Sequence, residues 1–434
     1  MDSLRFAFYG DDFTGSVDVL LQLRRAGWTS RLFLGLPDPE ELKAAAGEVD
    51  AVGIAGVARS LPTGTLAAEV QPALEALAAL GPRILQYKAC STADSSPSIG
   101  SLGRVLEIAQ GVFGPATVPM LFAQPDFGRY TAFGHHFAAE QGTVHRLDRQ
   151  PTMSAHPTTP MDESDLARHL SRQTHLAIGS LHLTEYTDAQ SIAANLAQRS
   201  EAATVLDAIT DGHVDMVGEA VVAAAQPHTP QFVLGSGGFT RGLAAALSQG
   251  AETLGAGSGQ LNPDGPVLAV SGSQSHQTAR QVQDARRQGW TVLELSGRDD
   301  APLLERVLAE LSAGRSVVVT TGADAAEACA GLSLVETLAA RLSAVVEAAL
   351  HRGATRRVIV CGGDTSSHVL VRLGARSLSI ASNPVGNVVL CTVGSAKGWV
   401  DGVEMLLKGG QVGPVDLFET IRTLGSRQSA ASIN

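Results

Sequence analysis

Short apolar runs alternate with amphipathic helical segments along most of this chain, and the alternation predicts its fold. In the first part of the chain the strand-like runs are residues 5–9, 31–34, 51–55, 84–87, 118–122, 176–178, 204–206 and 231–234. Helical apolar spacing follows the first of them, at residues 17–23. Strands that alternate with helices are typical of a largely parallel sheet covered by helices, so we expect an α/β fold.

A second series of the same kind follows residues 250–265, whose small and flexible composition is typical of a linker. Its strand-like runs are residues 267–270, 292–294, 316–320, 357–360, 378–380 and 388–391. We therefore predict two α/β domains, each a largely parallel sheet with flanking helices. Their predicted limits are 1–248 and 266–434, with a linker at 249–265.

The composition of the chain limits the classes of partner that it can bind. The 434 residues are 44% hydrophobic and 17% charged, and the formal net charge is −11. A negative chain without a Lys/Arg cluster disfavours nucleic acid, because a phosphate backbone requires basic surface. The four cysteines fit no CxxC or zinc spacing, so we expect reduced thiols. The chain enters a strand directly and has no apolar run of about 18 residues, so we expect no membrane partner and a cytoplasmic location.

Two adjacent carboxylates, Asp11 and Asp12, stand where the first strand ends and the first helix begins. Gly10 and Gly15 bracket this tight loop. Ligands of open α/β sheets gather at the carboxyl ends of strands, where a carboxylate pair can bind a sugar hydroxyl or accept its proton. The alternative is a purely local role, in which Asp12 or Thr14 caps the helix.

Polar and basic side chains follow two further strands of the first domain. Lys88 comes at the end of the run 84–87, and hydroxyls and one carboxylate follow it at Ser91, Thr92 and Asp94. Lys88 can neutralise a carboxylate or a phosphoryl group, and the others can bind hydroxyls. Arg59 is a second basic group beyond the run 51–55. The structural alternatives are a capped turn before a helix from residue 99 and an ordinary surface arginine.

Residues 130–161 are polar and rich in His, Thr and Pro, which predicts a long loop. Long loops in compact domains are usually functional or mobile. Arg129 directly precedes the stretch, and His135, His136 and His156 lie within it. The histidine spacing does not match a zinc site and no cysteine is near, so the sequence identifies no metal ligands.

Three turns of the second domain share one sequence pattern, in which glycines and hydroxyl side chains follow an apolar run. Such turns expose backbone N–H groups that an anion can approach. They predict nucleotide phosphate binding, although neither a P-loop nor a GxGxxG fingerprint is present. Asp364 can hold Mg²⁺ through water, contact a ribose hydroxyl or cap the following helix. The residues concerned are Ser271, Gly272, Ser273, Gly362, Gly363, Asp364, Thr365, Gly409 and Gly410.

Taken in order, these motifs resemble the four-carbon acid sugar kinase family from end to end. The motifs are residues 10–18, Tyr87-Lys88 with 91–95, residues 156–161, 271–273, 362–366 and 408–410. The resemblance implies a sugar-acid domain followed by an ATP domain, with the active site in the cleft between them and ATP contacts at Ser273, 362–365 and Gly410. It implies Mg²⁺-dependent transfer of a phosphoryl group from ATP to a terminal hydroxyl of a tetronate, 3-oxo-tetronate or related acid.

We expect Asp12 to accept the hydroxyl proton and Asp11 to orient the hydroxyl, though the two roles could be exchanged. Lys88 and Arg59 would hold the substrate carboxylate or the moving phosphoryl group, and Ser91, Thr92, Asp94, Arg129 and His156 would bind the acid. The chain departs from the family at residues 124–129, at His135 and His136, and at Gln411 and Val412. A branched 3-oxoisoapionate is therefore as credible a substrate as a linear 3-oxo-tetronate, with D-threonate and D-erythronate as further options.

Other classes of function fit parts of the sequence. An α/β dehydrogenase of the NAD type lacks its usual fingerprint here. An acid-sugar sensor without catalysis would leave the three phosphate-type turns unexplained. A homodimer is the default expectation for the assembly.

Overall fold

The computed structural model describes residues 4–140, 142–156, 158–226, 229–248, 261, 265–273, 275–295, 299–321, 334–410 and 412–424. Internal contacts divide the chain into two compact units, Met1–Ala256 and Gly257–Asn434. Almost all of the predicted linker at 249–265 lies outside the described residues. Both units are α/β structures with mostly parallel strands, which confirms the predicted fold class.

The first unit is built on a sheet in which every neighbouring pair is parallel, in the order β2-β3-β1-β4-β11-β5-β10-β9. Most predicted strands agree with the observed ones, but the run at 176–178 overlaps the observed strand only at Ile178, and that strand continues to Leu181. The strands of this unit are β1 (Phe6–Gly10), β2 (Ser30–Leu34), β3 (Ala51–Ala55), β4 (Ile84–Lys88), β5 (Val118–Leu121), β6 (Arg129–Ala132), β7 (His135–Glu140), β8 (Thr143–Arg146), β9 (Ile178–Leu181), β10 (Ala203–Leu206) and β11 (Gln231–Gly235).

Helices pack against this sheet and bury its apolar side chains in a core that runs from Leu4 to Leu234. Their apolar positions recur at helical spacing, and polar side chains cap several first turns, as Ser101 does by accepting from the Arg104 N–H at 3.1 Å. The helices are α1 (Phe13–Arg25), α2 (Pro39–Ala46), α3 (Leu66–Ala79), α4 (Leu102–Phe113), α5 (Pro151–Ser154), α6 (Leu166–Ser171), α7 (Ala189–Ala197), α8 (Asp211–Ala224) and α9 (Gly237–Ser248).

The long loop predicted at 130–161 is wrong, because this stretch forms most of a small antiparallel sheet of β6, β7 and β8. The β6–β7 turn needs two residues with positive φ, Phe133 at 51° and Gly134 at 75°. A phenylalanine rarely adopts this conformation. The buried carboxylate of Asp207 accepts the N–H groups of both residues, at 2.6 and 3.0 Å, and so holds the turn. That contact is remote in sequence, so the local pattern does not show the sheet.

The second unit has the sheet order β13-β14-β12-β15-β18-β17-β16, parallel up to β18 and antiparallel beyond it. Its core includes Trp290, Ile359 and Phe418. The strands are β12 (Val267–Ser271), β13 (Thr291–Leu295), β14 (Val317–Thr321), β15 (Arg357–Cys361), β16 (Ala375–Val385), β17 (Val388–Ser395) and β18 (Glu404–Lys408). The helices are α10 (His276–Arg287), α11 (Ala301–Ser312), α12 (Leu334–His351), α13 (Gly363–Leu373) and α14 (Leu417–Arg422).

The sequence patterns did not include β18, although the turn after it was recognised. Among the described residues no helix has the length and apolar character that a membrane crossing requires.

Two buried histidines of the first unit make its stability depend on pH. His136 bonds the Thr131 hydroxyl at 2.9 Å, and His169 contacts Ser95 and Gln173 at 3.1 and 3.0 Å. Burial lowers the pKa of His136 from 6.5 to about 3 and that of His169 from 6.5 to about 4. Both imidazoles therefore stay neutral in the folded protein at pH values where the unfolded chain takes up protons.

We expect the free energy of unfolding to fall as the pH drops from about 6.5 towards 4, by about 1.4 kcal/mol per pH unit for each histidine. Urea unfolding at a series of pH values measures the slope. His169→Gln keeps a polar side chain in place and should remove about half of this histidine contribution. An identical slope in wild type and variant would contradict the assignment.

Candidate active site

Four loops of the first unit meet because their strands end in register. Gly10 at the end of β1 pairs with Ala55 of β3 and with Lys88 of β4, and Lys88 pairs with Gly235 of β11. Parallel strands present their carboxyl ends at one edge of the sheet, where ligands of such folds bind. The residues that follow these strands are therefore neighbours, as their contacts show.

Arg59 bridges the two carboxylates that the sequence placed after β1. Its Nη2 donates to Asp11 Oδ1 at 2.6 Å, its Nε to Asp11 Oδ2 at 3.3 Å, and its Nη1 to Asp12 Oδ2 at 2.7 Å. The side chain of Asp11 is 2% exposed, whereas that of Asp12 is 29% exposed. Asp11 is thus enclosed behind the guanidinium, and Asp12 keeps an accessible face.

The charges of Arg59 and of the two acids shift the pKa values of Asp11 and Arg59. Burial raises the pKa of Asp11, and the neighbouring Arg59 charge opposes that effect. Burial alone would lower the pKa of Arg59, but the charges of Asp11 and Asp12 outweigh it and raise that pKa well above its usual value. Arg59 therefore remains charged beside two acids.

Tyr9 and Tyr87 stack with ring centroids 5.5 Å apart, and burial raises the pKa of both phenols.

Asp12 also caps helix α1, as the structural alternative from the sequence proposed. Its Oδ1 accepts the N–H of Gly15 at 2.7 Å. A side chain at Gly15 would collide with this oxygen and would approach Lys88 Nζ to 3.0 Å. Lys88 itself is buried and donates to the carbonyl of Ala89 at 2.8 Å. Asp12 and Lys88 therefore flank the same glycine, whose lack of a side chain lets both groups approach it.

Arg129 contributes a partly buried cation. Its Nη1 donates to the carbonyls of Phe127 and Ala139 at 2.8 and 3.1 Å, and its buried Nε has no partner among the described residues. No carboxylate of the described chain pairs with this guanidinium within 4.0 Å. Burial lowers the pKa of Arg129, and the neighbouring Cys90 and Glu140 oppose that effect.

Among the remaining predicted substrate residues, Asp94, His156 and Thr92 form side-chain hydrogen bonds. The Thr159 hydroxyl links Asp94 to the Nδ1 of His156, which lies 2.8 Å away. The buried Thr92 hydroxyl contacts the Cys90 thiol at 3.1 Å. Ser91 makes no side-chain hydrogen bond to any described residue.

Three of the four histidines of the 130–161 stretch contact a hydroxyl. The partners of His135, His136 and His156 are Ser164, Thr131 and Thr159. Among the described residues no group of three potential metal ligands occurs.

In the second unit, the register of three strands brings the glycine-rich turns together. Ser271 at the end of β12 pairs with Cys361 of β15, which pairs with Lys408 of β18. A Cβ on Gly272 would collide with the Thr365 hydroxyl, so the first two turns are in contact.

The third turn meets the first. A Cβ on Gly410 would lie 2.8 Å from Ser273 Oγ. Gly362 begins the second turn with a φ of 116°, a conformation that favours glycine. Gly363 is exposed, and the side chain of Asp364 lies outside the described part of the chain. The three turns thus form one surface of backbone and hydroxyl groups, of the kind that holds phosphates.

Two family models match the chain, one in each of its two compact units. Residues 6–243 match the model of a sugar-binding N-terminal domain, and residues 268–418 match that of a nucleotide-binding C-terminal domain. The chain belongs to the four-carbon acid sugar kinase family. The resemblance that the motifs suggested is therefore confirmed.

Relatives named 3-oxo-isoapionate kinase and 3-oxo-tetronate kinase align over nearly the full chain. The chain is 36% identical to a 3-oxo-isoapionate kinase of Paraburkholderia graminis, over 96% of this chain and 94% of that protein. It is 30% identical to 3-oxo-tetronate kinases of Methylobacterium radiotolerans and Cupriavidus necator, over 96% of this chain and 98% and 96% of theirs.

Solved structures share the fold of this family member. A chain from Salmonella typhimurium LT2 superposes with a TM-score of 0.79 at 24% identity, covering 96% of this chain and 98% of that one. Haemophilus influenzae protein HI1011 superposes with a TM-score of 0.74 at 23% identity, covering 96% and 100%.

One more loop, which the sequence analysis did not single out, lies at the sheet edge that holds Asp12 and Lys88. Ser236, Gly237 and Gly238 follow β11 and begin α9, and a side chain at Gly237 would collide with the carboxylate of Asp18. Gln124 donates to Asp18 at 3.2 Å. The sequence does contain a signal for this loop. A strand followed by Gly-Ser-Gly-Gly and a helix is the same pattern that predicts the turns of the second domain.

Proposed function

We propose that this protein is an ATP-dependent kinase that phosphorylates a terminal hydroxyl of a small 3-oxo sugar acid. The observation that carries the proposal is the accessible Asp12 carboxylate, held by Arg59 beside the buried Lys88. The greater identity to a 3-oxo-isoapionate kinase than to 3-oxo-tetronate kinases favours the branched acid, with linear 3-oxo-tetronates next and D-threonate or D-erythronate after them.

The exposure of the two carboxylates supports a division of roles. Asp12 would accept the proton of the attacking hydroxyl, because it is the acid that a ligand can reach. Asp11 would hold Arg59, and Arg59 would fix the direction of the Asp12 carboxylate through its Nη1 bond. In this proposal Arg59 orients the acids of the protein, and its contact with the substrate carboxylate or the phosphoryl group stays a prediction.

Phosphoryl transfer depends mainly on alignment and on neutralising charge. Lys88 has no carboxylate within 4.0 Å among the described side chains and would stabilise the moving phosphoryl group beside Asp12. The converging turns of the second unit fit ATP phosphates, because their glycines let the backbone and hydroxyl groups of the three turns come close together. Bound Mg²⁺ would supply positive charge at the phosphates, which with water are its usual ligands.

Arg129 is the group best placed to bind the carboxylate of the acid, because it is a partly buried cation without an acidic partner in the described chain. Arg129→Met should raise the KM for the acid by about ten- to hundredfold and leave the KM for ATP within about twofold. Steady-state kinetics with each substrate varied in turn measure the split.

Arg149→Met is the matched control, because Arg149 is 73% exposed and lies 4.0 Å from Asp148. It should leave both KM values unchanged. Equal increases in the KM for the acid and for ATP in Arg129→Met would contradict the carboxylate assignment.

The function itself is tested by a coupled assay of ADP release over a panel of four- and five-carbon sugar acids, linear and branched, with and without 3-oxo groups. We expect turnover to follow one acid and mass spectrometry to find its phosphorylated form. Nucleotide binding without turnover on any acid would remove the substrate class, and acid binding without nucleotide binding would favour a sensor. The homodimer and the cytoplasmic location stay predictions.

A further inference from the structure

Lys408 is a buried cation of the nucleotide-binding unit, which the sequence placed in the motif 408–410 without giving it a role. The residue is 2% exposed and ends strand β18, next to the turn that contains Gly410. Its Nζ donates to the Thr278 hydroxyl at 2.9 Å, and no carboxylate among the described side chains lies within 4.0 Å. Burial lowers its pKa, with Cys361 opposing that effect. A buried charge without an ionic partner costs stability, so its retention needs another reason.

Thr278 connects Lys408 to two of the three phosphate-type turns. Its Oγ1 lies 3.0 Å from the carbonyl of Gly410 and 3.3 Å from the hydroxyl of Ser273. The Ser275 hydroxyl, which caps α10, also donates to the Gly410 carbonyl. The Ser275 N–H donates to Ser273 Oγ at 3.3 Å.

The number of protons on each group limits which of these groups donate and which accept. A charged lysine can only donate, so Thr278 Oγ1 accepts from Lys408 and its single proton must point onward. The Thr278 proton has two acceptors, the Gly410 carbonyl at 3.0 Å and Ser273 Oγ at 3.3 Å, so Thr278 links the two turns that carry them. Ser273 Oγ also accepts from the Ser275 N–H, and no described group accepts its own proton, which is therefore free for a ligand.

We propose that Lys408 is a positioning residue for ATP: it holds Thr278, which links the Ser273 and Gly410 turns, so that Ser273 donates its O–H to a nucleotide phosphate. The buried charge also makes the potential at this surface more positive, which favours a phosphate. This inference rests on the proposed kinase function but concerns only the nucleotide. The charge of the phosphate then compensates a cation that no described carboxylate neutralises.

The test is isothermal titration calorimetry of ATP with and without Mg²⁺, which needs no sugar acid, together with steady-state kinetics. Lys408→Met should weaken ATP binding and raise the KM for ATP by about ten- to hundredfold, with the KM for the acid within about twofold. Its melting temperature should not fall, because the variant removes an uncompensated buried charge.

A second pair of variants keeps the test valid if Lys408→Met does not fold. Thr278→Val removes the hydroxyl that links the two turns and keeps the shape of the side chain, so it should also weaken ATP binding, whereas Thr278→Ser keeps the hydroxyl and should bind like wild type. Unchanged ATP affinity in both Lys408→Met and Thr278→Val would overturn the inference. Wild-type protein that binds ATP but phosphorylates no acid would overturn the proposed function and leave this inference standing.

Discussion

Asp12→Asn is expected to lower kcat by about 10²- to 10⁴-fold while ATP binding stays within about twofold. The amide keeps the shape of the carboxylate and can still accept the Gly15 N–H, but it cannot take a proton from the attacking hydroxyl. The loss therefore falls on the chemical step and not on the nucleotide. Single-turnover kinetics with saturating ATP and acid measure it, with calorimetry for the ATP affinity.

Asp38→Asn is the matched control for the capping role of Asp12. Asp38 caps helix α2 by accepting the Glu40 N–H at 3.0 Å and has no arginine partner among the described residues. The change should leave turnover and stability nearly unaltered, because asparagine is as good a cap as aspartate. Wild-type turnover in Asp12→Asn would remove Asp12 from the mechanism as the base.

Arg59→Leu is expected to destabilise the first unit by about 3–5 kcal/mol and to abolish measurable activity. The change leaves the enclosed Asp11 carboxylate without its cation and brings two acids together without a charge between them. Urea unfolding followed by circular dichroism gives the free energy, and the kinase assay gives the activity.

Two further variants separate this effect from the loss of any surface arginine. Arg31→Leu removes a pair with Glu48 in which the side chains are 38% and 60% exposed, and it should cost less than about 1 kcal/mol. Adding Asp11→Asn to Arg59→Leu removes the buried charge and should recover part of the lost stability. A cost below about 1 kcal/mol for Arg59→Leu would show that Asp11 does not depend on this cation.

Local pattern determined much of the architecture. Runs of apolar residues located the strands of both sheets to within a residue or two in most cases, as at β3 and β15. Glycines and hydroxyls after those runs located the turns, because small residues and caps are local requirements of a strand that leads into a helix. The carboxylate pair, Lys88 and the phosphate-type turns were therefore visible in the sequence.

Only the tertiary structure decided which of these groups meet. Strand order is set by packing between distant segments, so β11 lies beside β4 and brings the Ser236-Gly237-Gly238 loop to the edge that holds Lys88. Arg59 reaches both Asp11 and Asp12 only because β3 pairs with β1. Sequence spacing carries no information on these distances or on burial. It could not show that Asp11 is enclosed, that Asp12 is accessible, or that Lys408 is a buried cation.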